Sequence, residues 1–151
     1  IPFVELDKLV EHDVGMSLAQ LYLEEGESRW RALESKHLKR ALKMSPARLI
    51  CLGDGALLDE ENLELCLSRT TLVYIRRPQR SLLKRVQRGR QENPQRFPLW
   101  VRRSPESLSE LLPLLKRREP LYEKAEVLID AGDLGALETA QRVNKRFSWL
   151  T

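Results

Sequence analysis

Long apolar runs are missing from this chain of 151 residues. Its richest stretch, Leu111 to Leu115, falls far short of the roughly 20 residues that a membrane span needs. A membrane partner is therefore not expected. Cysteine is scarce. The two present, Cys51 and Cys66, lack metal-binding spacing and read as buried thiols in a reducing compartment, which places the protein in the cytoplasm. No signal-peptide pattern opens the chain, and no internal repeat divides it. It starts at Ile1 and not at a methionine, which reads as processing, trimming or a fragment. What is present, 42% apolar and 32% charged residues, is the balance of one globular domain with a real core.

The net charge of +4 conceals an uneven distribution. Residues 76–103 hold ten Lys and Arg against one acid, Glu92, so the remainder nets −5. A basic block beside acidic flanks points to an anionic partner: a nucleotide, a phosphosugar or a nucleic acid. Taken alone, such a run is more often a solvated helix face.

Strand and helix signals alternate along the chain. Residues 2–6 read as a short strand running into Asp7, a candidate cap for a helix over 8–14 that Gly15 ends. Ser17 to Gln20 matches a capping box, opening a helix to Gly26, with a longer one over 27–43. Strands follow at 48–52, 70–75 and 126–130, and helices at 59–69, 79–88, 104–118 and 134–147. Ser104-Pro105 has the form of a helix start, Ser as N-cap and Pro at N1. Residues 89–103 have no period and read as a loop that stays open until an anion neutralises its arginines. The alternation predicts an α/β fold, a parallel sheet with helices on both faces, and ligands beyond the carboxyl ends of the strands.

Five clusters carry possible chemistry. Glu5 and Asp7, two apart at a strand end, face one side and suit a magnesium shell or a hydroxyl; a helix cap and a surface Glu are the bland alternative. Arg31 and Glu34 lie three apart on a helix, so the carboxylate can hold the guanidinium as a fork for a substrate carboxylate, or form an ordinary surface pair. Gly53-Asp54-Gly55 follows a strand, where glycines allow backbone to approach a ligand or simply turn the chain. Arg96, in the loop, can close over phosphates. Arg118 is a second carboxylate clamp or a basic helix end.

Their order is the decisive feature. Phe3-Val4-Glu5-Leu6-Asp7, Gly26-Glu27 through Trp30-Arg31 to Glu34, Gly53-Asp54-Gly55-Ala56, the Arg96 to Leu99 segment and Arg118-Glu119-Pro120-Leu121-Tyr122 together resemble the running pattern of the shikimate kinase family. The resemblance covers Phe3 to Asp130. It implies a nucleoside-monophosphate-kinase-like P-loop fold and transfer of the ATP γ-phosphoryl group to shikimate, with magnesium, in aromatic amino-acid biosynthesis. By the same resemblance Asp7 holds the shikimate hydroxyl and acts as, or supports, the base. Arg31 and Arg118 clamp the carboxylate, and Gly53 and Gly55 shape the pocket floor. Arg96 is the lid arginine, with a lid at about 89–103; Arg85 packs on adenine; Glu5 reaches the metal through water. The enzyme is expected to be a monomer.

The departures are as specific. Nowhere does the chain contain Gly-Lys-Ser or Gly-Lys-Thr, so the loop that cradles the phosphates is missing from the pattern, and with it a central first strand. The strands ending at Leu52 and Ile75 should then have no neighbour between them. Glu5 stands for the family's first Asp, Phe97 is inserted in the lid signature, and Asp54 stands for a middle glycine, where its carboxylate should repel a γ-phosphate. Two explanations compete: an N-terminally incomplete piece of a longer kinase, or a non-catalytic member that binds ligand without phosphorylating it. From another class, residues 76–103 suggest a basic nucleic-acid-binding module, ranked lower because only Phe97 and Trp100 are available to stack on bases.

Overall fold

The computed structural model describes residues 2–46, 48–96, 98–100 and 103–147. Strand β1 (Phe3–Glu5) leads at once into helix α1 (Leu6–Val14). Helix α2 (Leu18–Ala41) is followed by β2 (Leu49–Cys51), α3 (Glu60–Arg69), β3 (Val73–Arg76) and α4 (Gln79–Glu92). After two 3-10 turns come α5 (Leu108–Tyr122), β4 (Val127–Asp130) and α6 (Ala136–Arg146). All strand pairing is parallel, as the alternation of strands and helices requires.

The sheet is in two halves. β1 pairs with β2, setting Phe3 opposite Leu49 and Glu5 opposite Cys51. β3 pairs with β4 from Val73–Val127 to Arg76–Asp130. Among the described residues no ladder joins β2 to β3. This is the gap expected where a central strand is lacking, and apolar side chains around it, including Leu49 and Ile75, remain exposed. Cys51, on β2, is exposed as well, against the expectation of two buried thiols; only Cys66 is buried. The reason is the face it occupies: Leu49, two residues earlier on the same side of β2, is exposed too.

The helices hold two apolar clusters. Leu6, Leu38, Ala56, Leu57, Leu63, Cys66, Leu72 and Ala125 form one. Val10, Leu18, Leu21, Trp30 and Leu33 form the other, between α1 and α2. Local signals explain most helix ends. Ser17 and Gln20 make the expected reciprocal capping box, and Gly15 closes α1 at φ 71°. Gly26 breaks α2 at φ 79° and ψ 174°, so the two expected helices meet there without a gap. Asp59 caps α3 by accepting from the Asn62 backbone N–H at 2.9 Å.

Three local expectations change. Asp7 is not a cap, because α1 begins at Leu6 with Glu5 in the cap position. Helix α4 continues through Glu92, so the segment read as loop is helical at its start. Helix α5 begins at Leu108, and Pro105 is instead a buried anchor whose carbonyl accepts from Gln87 Nε2 at 2.8 Å. The same helix passes Pro120 to reach Tyr122, held by contacts that its sequence does not contain.

Candidate functional site

The amino end of α1, the break in α2, the turn after β2 and the far end of α5 converge on one cluster of charges. From α2, Arg31 donates to Glu34 Oε2 at 2.9 Å and lies 3.4 Å from Glu27 Oε1. Its guanidinium also sits 3.7 Å from the centre of the Trp30 ring. These contacts hold the fork in one orientation. From α5, Arg118 is 8% exposed, so it is no solvated helix end. It donates to Asp54 Oδ2 at 3.0 Å, and the other oxygen of that carboxylate lies 3.6 Å from Arg31. Tyr122, one turn on, donates its hydroxyl hydrogen to the Asp54 backbone carbonyl. This bond and the Arg118 pair fasten the last turn of α5 around Pro120, the second of the two prolines inside the helix after Pro113.

The turn between β2 and α3 is the floor of the cluster. A Cβ at Gly53 would collide with Glu34 Oε1 and stand 2.9 Å from Asp7 Oδ1, while one at Gly55 would run into the Arg31 guanidinium. Glycine is favoured at both positions, because any side chain there would push Glu34 or Arg31 aside. Asp54, between them, has an ordinary backbone, since no residue other than glycine has positive φ among the described residues. Its carboxylate is turned onto the two arginines. The cleft beside Arg118, lined by Glu27, Leu58, Leu99 and Leu114, measures about 60 Å³. That is room for a few waters and not for a six-membered ring.

Asp7 Oδ1 and Glu34 Oε1 are buried, point toward Gly53 and have no hydrogen-bond partner among the described residues. Burial pushes the Asp7 carboxyl up to about 6, helped by the charges of Asp54 and Glu5 and opposed by Arg96. Burial likewise pushes Glu34 up to about 7 against the pull of Arg31. A carboxylate poised near neutrality is suited to exchange a proton with a hydroxyl. Both carboxyls stay protonated in the folded chain at pH values where the unfolded chain has lost those protons, so stability must fall as pH rises from about 4 to 7. For Glu34 the loss between pH 5 and pH 8 is about 2 kcal/mol. Urea unfolding at the two pH values measures it, and Glu34→Gln should flatten the slope. Equal stability of the wild-type chain at both values would show that these carboxyls are not held protonated.

Arg96 lies at the same strand ends. It is paired with Glu5 across 91 positions of sequence. The segment carrying it differs from an open loop. It forms 3-10 turns at Pro94–Arg96 and Pro98–Trp100, Gln95 accepts from Ser17 Oγ at 2.8 Å, and Leu99 packs on the cluster around Trp30. Glu5 is the anion that neutralises Arg96, and Leu99 is an anchor that the sequence reading overlooked in favour of its aromatic neighbours. Phe97 and the Trp100 side chain lie outside the described residues.

Other expected participants are not part of the cluster. Arg85 is exposed on α4 and makes no hydrogen bond or ion pair among the described residues. Glu5 is engaged by Arg96, and no three metal-ligating side chains converge among the described residues, so these residues alone do not build a magnesium site. The basic block is not one free patch. Arg76 pairs with Asp130 at 3.1 Å, Arg77 donates to Gly132, Leu134 and Thr139, and Arg88 pairs with Glu92 at 2.7 Å. Arg103 pairs with Glu110 at 3.0 Å. No helix among the described residues is long and apolar enough to cross a membrane.

This geometry can be set against known proteins. The family model for shikimate kinase matches residues 1–148. The chain belongs to the shikimate kinase family. A shikimate kinase of Chlorobium chlorochromatii is 33% identical over 134 residues, covering 85% of this chain and 67% of that protein. One from Dictyoglomus turgidum is 29% identical over 131 residues, covering 86% and 73%. Among solved structures, the shikimate kinase of Acinetobacter baumannii in complex with shikimate is 26% identical, with a TM-score of 0.81 over 97% of this chain and 79% of that one. The fold is therefore the nucleoside-monophosphate-kinase-like α/β fold of shikimate kinases. The family's enzymes are phosphotransferases that take ATP and shikimate as small-molecule substrates.

Proposed function

We propose that the charge cluster is the acceptor site of a shikimate kinase, a single domain that holds shikimate for phosphorylation at its 3-hydroxyl. One observation carries this reading: Arg31 and Arg118, 87 positions apart, converge on the two oxygens of a single carboxylate. Two guanidinium groups so placed form a fork for a carboxylic acid. Gly53 and Gly55 make the floor, and Asp7 faces the hydroxyl that accepts the phosphoryl group. Asp7, ionised above about pH 6, takes the proton or orients the hydroxyl. Arg96 exchanges Glu5 for the phosphates of ATP, and Arg85 lies on the side of adenine. Magnesium accompanies ATP; Glu5 would reach it through water once Arg96 has let go. The protein is read as a cytoplasmic monomer without a nucleic-acid partner.

Ligand-observed NMR with shikimate tests the site. Arg31→Ala and Asp7→Ala are each expected to weaken binding by about tenfold, the loss of one charged hydrogen bond. If shikimate binds equally well to both variants, the cluster is not the acceptor site.

A second reading, a member that binds its ligand without phosphorylating it, is favoured by one feature: Asp54 already sits on the clamp.

A further inference from the structure

Two guanidinium groups placed as a clamp attract a carboxylate. Here they hold the chain's own Asp54. One oxygen accepts from Arg118 at 3.0 Å and the other lies 3.6 Å from Arg31. The partners differ in their exposure to solvent. The Arg118 side chain is 9% exposed, that of Arg31 20% and that of Asp54 54%. The arginines are the fixed part of the arrangement, and the carboxylate stands at the mouth. The backbone of Asp54 is fixed too, because Tyr122 holds its carbonyl. Only the Asp54 side chain is free to turn away. Turning out would return a carboxylate to water, which costs little. Losing it with nothing in its place would leave a buried guanidinium unpaired, which costs far more.

We propose that Asp54 is an internal competitor: its carboxylate occupies the place of the acceptor's carboxylate between Arg31 and Arg118, and a ligand enters only by exchanging with it. This rests on the reading of the two arginines as the acceptor clamp. The exchange is balanced in charge, one carboxylate for another, and involves no covalent step. It makes Asp54 a determinant of affinity and selectivity. A ligand without a carboxylate cannot take over the ion pairs and gains nothing from displacing Asp54.

The test is calorimetric titration of the full chain with shikimate and with its neutral methyl ester. Asp54→Gly and Asp54→Asn are expected to bind the acid at least about tenfold more tightly than wild type and the ester no more tightly. Adding Arg118→Ala to either should abolish the gain. A purely structural role for Asp54 predicts the reverse: lower thermal stability, with acid affinity unchanged or weaker, and that result overturns the proposal. If the wild-type chain binds shikimate through Arg118 and neither Asp54 variant gains, the competitor is refuted while the acceptor site stands. If no variant binds shikimate, both readings fail. Should the variants not fold, carbon-detected NMR on the wild-type chain decides. The Asp54 carboxyl signal should move to that of a free carboxylate as shikimate saturates, and an unmoved signal at saturation refutes the exchange.

Discussion

Arg118→Ala is expected to weaken shikimate binding by about two to three orders of magnitude, the usual cost of truncating one side of a buried, hydrogen-bonded charge pair. The effect is largest in an Asp54→Gly background, where the clamp is free and the ligand carboxylate makes its full set of bonds. In wild type the same truncation also releases Asp54, so part of the loss is masked. Arg118→Lys should recover little of the affinity. A single ammonium cannot reproduce the planar fork, and its shorter reach leaves one oxygen unpaired. Calorimetry of the four chains, two with Arg118 and two without, measures the coupling directly. Equal affinity for shikimate in Asp54→Gly with and without Arg118 would remove Arg118 from the site.

The 151-residue chain by itself is expected to transfer no phosphate from ATP to shikimate at a useful rate, in contrast to the range of about 1–100 per second typical of kinases. Phosphoryl transfer depends on positioning and on charge placed around the moving group. The chain has no Gly-Lys-Ser/Thr to supply backbone amides, a lysine and a metal-binding hydroxyl. On the proposed reading it holds groups for the acceptor side and one lid arginine, and that arginine is paired with Glu5. A coupled assay with ATP, magnesium and shikimate provides the check. Turnover of about 1 per second or more would sink the prediction. Shikimate binding without turnover would match it and separate recognition of the acceptor from catalysis.

Much of this was legible in the sequence, because it depends on local rules. The capping box at Ser17, the glycine ends at Gly15 and Gly26 and the alternation of short strands with helices are set by backbone sterics and by hydrogen bonds to near neighbours. The Arg31–Glu34 pair follows from helical spacing. The parallel sheet with a gap between Leu52 and Ile75 follows from the order of the motifs, because the strand expected between them is not in the pattern.

What the tertiary structure alone decided concerns contacts between segments far apart in sequence. No local signal says that Asp54 turns onto Arg118, 64 positions away, or that Glu5 meets Arg96. Read along the chain, Asp54 is a carboxylate that should repel a phosphate; folded, it is the partner of two buried or half-buried cations. The same physics moved the start of α5 from Ser104 to Leu108, because Pro105 is more valuable buried than as a first turn, and it carried α5 past Pro120, because Arg118 and Tyr122 fasten the last turn to residue 54. It also drew Leu99 into the cluster around Trp30 and so closed a segment that composition described as open. Local propensity differs between alternatives by a few tenths to about one kcal/mol per residue. Pairing a buried charge or burying an apolar side chain contributes about as much or more at a single point, so wherever the two disagreed the long-range contact prevailed.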